Sequence, residues 1–196
     1  GKTINLGLDL QGGSYLLLEA DINSVVNERL ETVNDDVSRK LKEYDVLPSK
    51  KEINNEKLNI VFNNQDELLK GKKVLRQFFG TELNISSENK ILIIEYSELA
   101  LKQIIDLTIE QAIEIVRRRI DETGTKEPLI QRQGTQRILI QLPGIDDPER
   151  IKSLLGKTAK LTFQLVDTNS NAFDVKSSGR VPPGKKLLES YSDDGQ

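Results

Sequence analysis

The chain has 196 residues, of which 36% are hydrophobic and 30% are charged, and its formal net charge is -3. This length and balance are typical of an ordinary α/β or α+β protein with one large or two small domains. The acidic charge argues against a nucleic-acid binder, which needs a basic face to displace counterions, and against an anionic lipid surface as the main partner.

Cysteine, histidine and methionine are absent from the sequence. Without cysteine there is no disulfide, thiol nucleophile or thiolate metal site, and without histidine the usual general base near neutral pH is missing. No apolar run approaches the ~20 residues that a membrane-spanning helix needs, and there is no signal-peptide pattern. We therefore predict a protein that is not an enzyme and uses no cofactor or metal. Because the chain starts at Gly1, close to strand-like sequence, we expect it to be a piece of a longer protein.

The first half of the chain alternates strand and helix patterns. The apolar run at 14–20, bounded by a glycine pair, predicts a buried strand, and residues 22–44 predict a helix with one apolar stripe that packs on a sheet. That stripe consists of Val26, Leu30, Val33, Val37, Leu41 and Tyr44. Polar residues around Pro48 predict a loop over 45–56. The next predicted elements are a strand at 57–63, a helix at 65–79 and a strand at 90–96.

The second half begins with the longest predicted helix, residues 98–121, for which Gly124 is well placed as the C-terminal cap. Its inward residues are predicted to be Leu101, Ile105, Ala112, Val116 and Ile120. The following elements are a hairpin of 129–133 with 137–142 that turns at Gly134, a helix starting at Asp147-Pro148-Glu149 and a strand at 160–166. From Asp167 onward the sequence is polar and has no clean period, which is typical of a linker or of an element whose partner strands lie elsewhere.

The predicted order of elements is β-α-β-α-β-α-ββ-α-β. Short strands and one hairpin favour an α+β fold of ferredoxin-like α/β sandwich units over a doubly wound sheet, and we expect it to be an incomplete fragment of a larger domain. We predict a first α/β subdomain at 1–97, a second with the hairpin at 98–166, and a polar tail or truncated segment at 167–196.

The glycine pair Gly12-Gly13 is the first candidate for chemistry. It lacks the G-x-G-x-x-G spacing between a strand and a helix that a dinucleotide loop requires, because it leads into a strand. We interpret it as a backbone turn or a close approach, since glycine tolerates positive φ and has no Cβ.

Three consecutive arginines, Arg117-Arg118-Arg119, span nearly a full turn of the longest predicted helix and cannot share one face. Without interleaved aromatic residues they do not form a nucleic-acid platform. We interpret them as a solvated surface with acidic partners such as Glu114 or Asp121. No pair of carboxylates has a recognisable acid/base or metal-loop spacing. By elimination, the sequence predicts a binding or mechanical module.

Two blocks of sequence resemble the SecD family of protein translocase subunits. The first block is residues 6–19, LGLDLQGGSYLLLE, whose core is Asp9-Leu10-Gln11-Gly12-Gly13. The second is residues 110–168, which include EPLIQRQG, LPG and LGKTAKLTF in the order found in that family. The chain is similar to the N-terminal part of the first, large periplasmic domain of the family. The middle, about 45–97, matches only in layout.

The resemblance implies a bacterial inner-membrane subunit that works with SecF beside the SecYEG channel and uses the proton gradient to complete export. The domain would lie on the periplasmic side, hold the emerging unfolded polypeptide and move in a hinge-type cycle. It would meet the membrane only through spans outside this sequence, and it would bind no nucleic acid. We interpret the motif residues Asp9, Leu10, Gln11, Gly12 and Gly13 as structural, and we assign no substrate-binding residues.

Two other readings share this architecture. One is a ferredoxin-like ligand-sensing or porter domain of a related efflux-type membrane transporter, against which only the motifs argue. The other is an RRM-type RNA binder, which has the same order of strands and helices. The chain lacks the aromatic-rich strands and the positive charge of that class.

Overall fold

The computed structural model describes residues 14–144, 148–155, 161–165 and 191–192. Within them, four helices and two antiparallel sheets form, so the predicted α+β class is confirmed. The helices are α1 (Ile22–Glu43), α2 (Gln65–Phe78), α3 (Glu98–Asp121) and α4 (Pro148–Leu155). The strands are β1 (Ser14–Ala20), β2 (Lys50–Asn54), β3 (Lys57–Val61), β4 (Leu83–Glu88), β5 (Ile91–Tyr96), β6 (Leu129–Gln133), β7 (Arg137–Leu142), β8 (Leu161–Leu165) and β9 (Tyr191–Ser192).

The chain forms two compact units that do not follow the predicted division at residue 97. One unit is the continuous segment 22–104, which we call the inserted unit, and the other combines 1–21 with 105–196, which we call the split unit. The difference arises because β1 pairs with β7 and β8, more than a hundred residues further along the chain. Pairing at such long range leaves no mark on the local sequence pattern.

In the split unit, β1 lies inside a sheet of order β6-β7-β1-β8-β9 and is antiparallel to both neighbours. Leu16 lies opposite Ile140 on one side and Leu165 on the other, and the β1 residues Leu16, Leu17 and Leu18 are buried. This confirms the predicted buried strand. The elements β1, α3, β6, β7, α4 and β8 follow one another as β-α-ββ-α-β, the order on which the ferredoxin-like assignment rests; that assignment stays a prediction.

Glycines terminate two elements of the split unit as the sequence predicts. Gly124 has φ +73° after α3, and its N–H donates to the carbonyl of Asp121 at 3.0 Å. Gly134 has φ +60° in the turn between β6 and β7, which confirms the predicted hairpin. Of the residues predicted to face inward on α3, Ala112, Val116 and Ile120 are buried, whereas Leu101 and Ile105 are half-buried.

The inserted unit has a four-stranded sheet of order β2-β3-β5-β4 and two helices that pack on one of its faces. Alternate strand residues supply the sheet side of the core: Leu58, Ile60, Leu92 and Ile94 are buried. Both helices supply the other side, with buried Val26, Leu30, Val37 and Leu41 from α1 and Leu68, Val74 and Leu75 from α2. The predicted stripe on α1 is therefore largely confirmed, although Val33 is half-buried and Tyr44 is exposed.

Two strands of the inserted unit were not predicted. The predicted loop 45–56 contains β2, and β4 had no predicted counterpart. Both are outer strands with mostly exposed residues, so their apolar alternation is weak. The predicted helix at Asp147-Pro148-Glu149 is present from Pro148, and Asp147 lies outside the described residues. Most of the predicted tail 167–196 also lies outside them, but Tyr191–Ser192 forms β9 against β8.

Candidate functional site

The five motif residues predicted from the sequence, Asp9, Leu10, Gln11, Gly12 and Gly13, lie outside the residues that the structure describes. The strand that begins directly after them, β1, has pairing partners on both sides and a buried run from Tyr15 to Leu18. Because the motif directly precedes a strand that is paired on both sides, a role in setting the backbone path into β1 is consistent with its position. The structural interpretation of the motif stays our prediction.

The arginine run on α3 has a different environment from the predicted one. Arg117 and Arg118 are exposed, and Arg119 is half-buried and donates from Nη1 to the carbonyl of Leu155 at 3.4 Å. Across the described part of the chain, no ion pair is seen for Arg117 or Arg118. That Glu114 or Asp121 is an acidic partner of the run stays a prediction. The run does form a solvated surface.

Among the residues that the structure describes, no group of three or more acidic side chains is placed to hold a metal ion. In the same part of the chain, no helix combines the length and the apolar character needed to cross a bilayer. The outer strands of the inserted unit's sheet, β2 and β4, present the surfaces described next.

One outer edge of the inserted unit's sheet, β2, is protected. It begins with the charged residues Lys50, Lys51 and Glu52, and charges on an outer strand discourage pairing with another chain. The Lys51 side chain also reaches α1, where its Nζ donates to the hydroxyl of Ser38. The turn that follows β2 is held as well, since the Glu56 N–H donates to Asn27 Oδ1 of α1 at 2.9 Å.

The other outer edge, β4, carries unused backbone groups. The Ser97 N–H donates to the Glu82 carbonyl at 2.8 Å, and this fixes the register so that the backbone groups of residues 83, 85 and 87 point away from β5. Two of these outward groups have partners: the Leu83 N–H donates to Gly80, and the Ile85 carbonyl accepts from Arg76. The Ile85 N–H and both backbone groups of Ser87 have no partner among the described residues.

A groove of about 690 Å³ runs along β4 beside the C-terminal end of α2. Arg76 Nη2 spans the groove and donates to the Ile85 carbonyl at 3.2 Å, and Lys72 Nζ of α2 donates to the Ser87 hydroxyl at 3.0 Å. Its lining includes Arg76, Phe79, Gly80, Leu83, Ile85 and Glu95. The site thus combines a strand edge, a few apolar side chains and the cations of Arg76 and Lys72, which is chemistry for binding an extended chain.

An aromatic contact joins the ends of the two helices beside this sheet. Tyr44, just after α1, and Phe78, the last residue of α2, have ring centroids 5.5 Å apart, and both are 41% exposed. Lys40 Nζ lies 4.3 Å from the centroid of the Phe78 ring, within the range of a cation–π interaction. These contacts hold the end of α2, and therefore the wall of the groove, against α1.

Tyr96, at the end of β5, lies opposite Leu83 of the groove. Burial raises the pKa of its hydroxyl above the ordinary value of 10.0; the nearby Arg29 guanidinium lowers that pKa and the Glu82 carboxylate raises it. The hydroxyl is therefore neutral at physiological pH and adds no charge beside the groove.

In the split unit, Gln141 of β7 is a buried polar residue that the sequence analysis missed. Its side chain is 1% exposed, and neither polar atom of its carboxamide has a hydrogen-bond partner among the described residues. A buried amide without a partner costs free energy, of the order of 1–3 kcal/mol. The signal in the sequence was a glutamine inside the apolar run RILIQL.

The groove was also missed, although a signal for it existed. In residues 81–88, Leu83 and Ile85 alternate with polar residues, the period-two pattern of a strand. In the sequence, Phe79 falls at the end of the predicted helix 65–79, and nothing in the pattern singles out Arg76. Neither residue belongs to a sequence motif. The groove exists because β4 is the outer strand of the sheet, and the local sequence does not show which strand is outermost.

Family models match two separate segments of the chain. The model for the SecD/SecF GG motif matches residues 1–21, and the model for the N-terminal part of the P1 domain of protein translocase subunit SecDF matches residues 109–168. The chain is therefore similar to the SecD family over these two segments. The two blocks from which the resemblance was inferred fall within or next to these matches, so the recognition is confirmed.

Several SecD proteins from bacteria are similar to almost the whole chain. The SecD of Rickettsia bellii is 37% identical over 95% of the chain, that of Rickettsia typhi is 38% identical over 97%, and that of Acetobacter pasteurianus is 39% identical over 95%. The chain spans 36% of the length of each of these relatives. No solved structure matches the chain significantly.

Proposed function

We propose that this SecD chain loosely holds unfolded polypeptide during export. The observation that carries the proposal is the β4 edge, where unused backbone groups meet a groove lined in part by Phe79, Leu83 and Ile85, in a chain similar to a translocase family. A translocation aid must release its client, so the affinity should be modest. Backbone pairing and apolar contact suit this need, because they do not require a particular client sequence.

The setting follows from the family and is part of the same proposal. The chain would lie on the periplasmic side of the bacterial inner membrane, as a domain of a subunit that works with SecF and the SecYEG channel. The proton gradient would drive the cycle. The role is not enzymatic: we expect no hydrolysis of ATP or peptides, and saturable micromolar ATP binding in calorimetry would contradict this.

An NMR titration of the full chain with a reduced, unfolded client segment tests the holding role. We expect a dissociation constant of tens of micromolar or weaker, which corresponds to about -6 kcal/mol or less favourable. Raising the salt concentration should change the affinity little, because apolar contacts and backbone pairing are not screened. If no resonance shifts at millimolar client, the chain does not hold polypeptide.

A further inference from the structure

We propose that an extended segment of client polypeptide adds to β4 as a fifth strand of the inserted unit's sheet, and that Arg76 guards this edge when it is empty. The inference rests on the proposed holding function and names the place and the mode of binding. The guanidinium of Arg76 must move when the client binds, because it occupies the Ile85 carbonyl that the client backbone would use as an acceptor.

The two outer edges of this sheet differ in their availability. On β2, the lysine side chain of Lys51 is tied to α1 through Ser38, and charged residues occupy the first half of the strand. On β4, the Ile85 N–H and the Ser87 N–H and carbonyl point outward without a partner among the described residues, and residues 83–87 carry no charged side chain of their own. A strand that lies about 4.8 Å from β4 would satisfy these groups, because unpaired edges offer hydrogen bonds at every second residue.

The groove supplies the remaining contacts for an added strand. Its lining includes residues from both faces of β4: Leu83 and Ile85 lie on the helix-covered face, whereas Asn84 and Ser86 lie on the opposite face. The floor of the groove is therefore the strand edge itself. Side chains of an added strand alternate between the two faces in the same way, so one set meets the wall formed by α2 and the other meets solvent.

Arg76 occupies one backbone acceptor of the β4 edge through a hydrogen bond that an incoming strand can replace. Its hydrogen bond to the Ile85 carbonyl is 3.2 Å long and exposed to solvent, so an incoming backbone N–H can replace it at little cost. Outer strands carry such charged side chains because an unguarded edge pairs with other chains indiscriminately.

The test is an amide-resolved NMR titration of the full chain with a reduced, unfolded client segment. The expected result is that chemical shifts concentrate at the amides of residues 83–88 and at Arg76 Nε. Shifts that concentrate elsewhere would overturn the assignment to β4 and leave the holding function in place. The absence of any shift at millimolar client would overturn both. Shifts at 85–87 that depend on protein concentration without client would identify a second copy as the occupant and overturn the inference.

Two variants should change the affinity in opposite directions. Ser87→Pro removes an outward N–H and leaves the bonds between β4 and β5 intact, so we expect binding to weaken at least ~3-fold. Arg76→Ala removes the competitor for the Ile85 carbonyl, so we expect binding to tighten about 3-fold. The matched control is Lys51→Pro, which removes an outward N–H from the β2 edge and should leave the affinity unchanged.

Each outcome of these variants decides the inference. Unchanged affinity in both β4 variants, with native melting temperatures, would overturn it. Weaker binding in Lys51→Pro alone would move the site to β2 and would also overturn it. If Ser87→Pro fails to fold, Arg76→Ala decides by itself: tighter binding supports a guarded edge, and equal or weaker binding contradicts it.

Discussion

Gly71 lies inside α2 at a point where the helix touches the core of the inserted unit. A Cβ at this position would lie 2.9 Å from Cζ and 3.2 Å from Cε1 of Phe62, and 3.5 Å from Cδ2 of Leu41. Phe62 is 1% exposed, so its ring has little room to move away. Because α2 also carries Arg76, the fit at Gly71 decides how closely the wall of the groove approaches β4.

For Gly71→Ala two effects of known size oppose each other. Alanine improves helix propensity by about 1 kcal/mol over glycine, and adding a methyl group to a filled core costs about 1–3 kcal/mol. We therefore expect a net loss of about 1 kcal/mol in the free energy of unfolding. Urea denaturation of the full chain, followed by far-UV circular dichroism, measures this difference.

The background Phe62→Leu separates the two effects, because it removes the ring atoms that the new methyl group would meet. In that background Gly71→Ala should reverse its sign and stabilise by up to about 1 kcal/mol, the propensity term alone. Gly80→Ala is the matched control, since no heavy atom lies within 4 Å of a Cβ built there. A gain in stability from Gly71→Ala in the unmodified chain would refute the argument from packing.

Three further substitutions test local features. Asn64 caps α2 by accepting the Glu67 N–H at 2.9 Å, so Asn64→Ala should cost about 1 kcal/mol in thermal or urea denaturation, and no loss would contradict the cap. Arg132 donates to Asp106 at 2.7 Å and to the Thr135 carbonyl at 2.8 Å. Because the ion pair is half-exposed, Arg132→Ala should lower the free energy of unfolding by at most about 1 kcal/mol, and by less at high salt. Gly13→Val should lower the melting temperature by an amount corresponding to about 1–2 kcal/mol; failed export with an unchanged melting temperature would make the motif functional.

The helices and the central strands were predictable from the sequence because their burial imposes a clear period. Helix α3 has the predicted bounds, and α1 and α2 end within one residue of theirs. By contrast, β2 and β4 each bury one face weakly or not at all, so their apolar alternation is absent or limited to two residues. The candidate site lies on one of these strands, and for this reason sequence reasoning missed it.

The division of the chain was unpredictable for a different physical reason. β1 pairs with β7 and β8. Its apolar residues predict that the strand is buried, but they do not predict which strands lie beside it. The unpartnered carboxamide of Gln141 is a similar case. A glutamine in an apolar strand predicts either that its side chain is exposed or that it is buried with a hydrogen-bond partner. The sheet register instead places Gln141 in the interior, opposite Tyr15 and Leu129.

The inserted unit has its own core and should therefore fold by itself. It occupies residues 22–104, and the two family models match 1–21 and 109–168, so the family patterns lie on either side of it. Its sheet is paired only within the segment, and its helices bury their apolar stripes on that sheet. We predict that residues 22–104, expressed alone, give a cooperative thermal transition and dispersed amide resonances. A spectrum typical of an unfolded chain would mean that the unit depends on the split unit for its stability, despite its separate core.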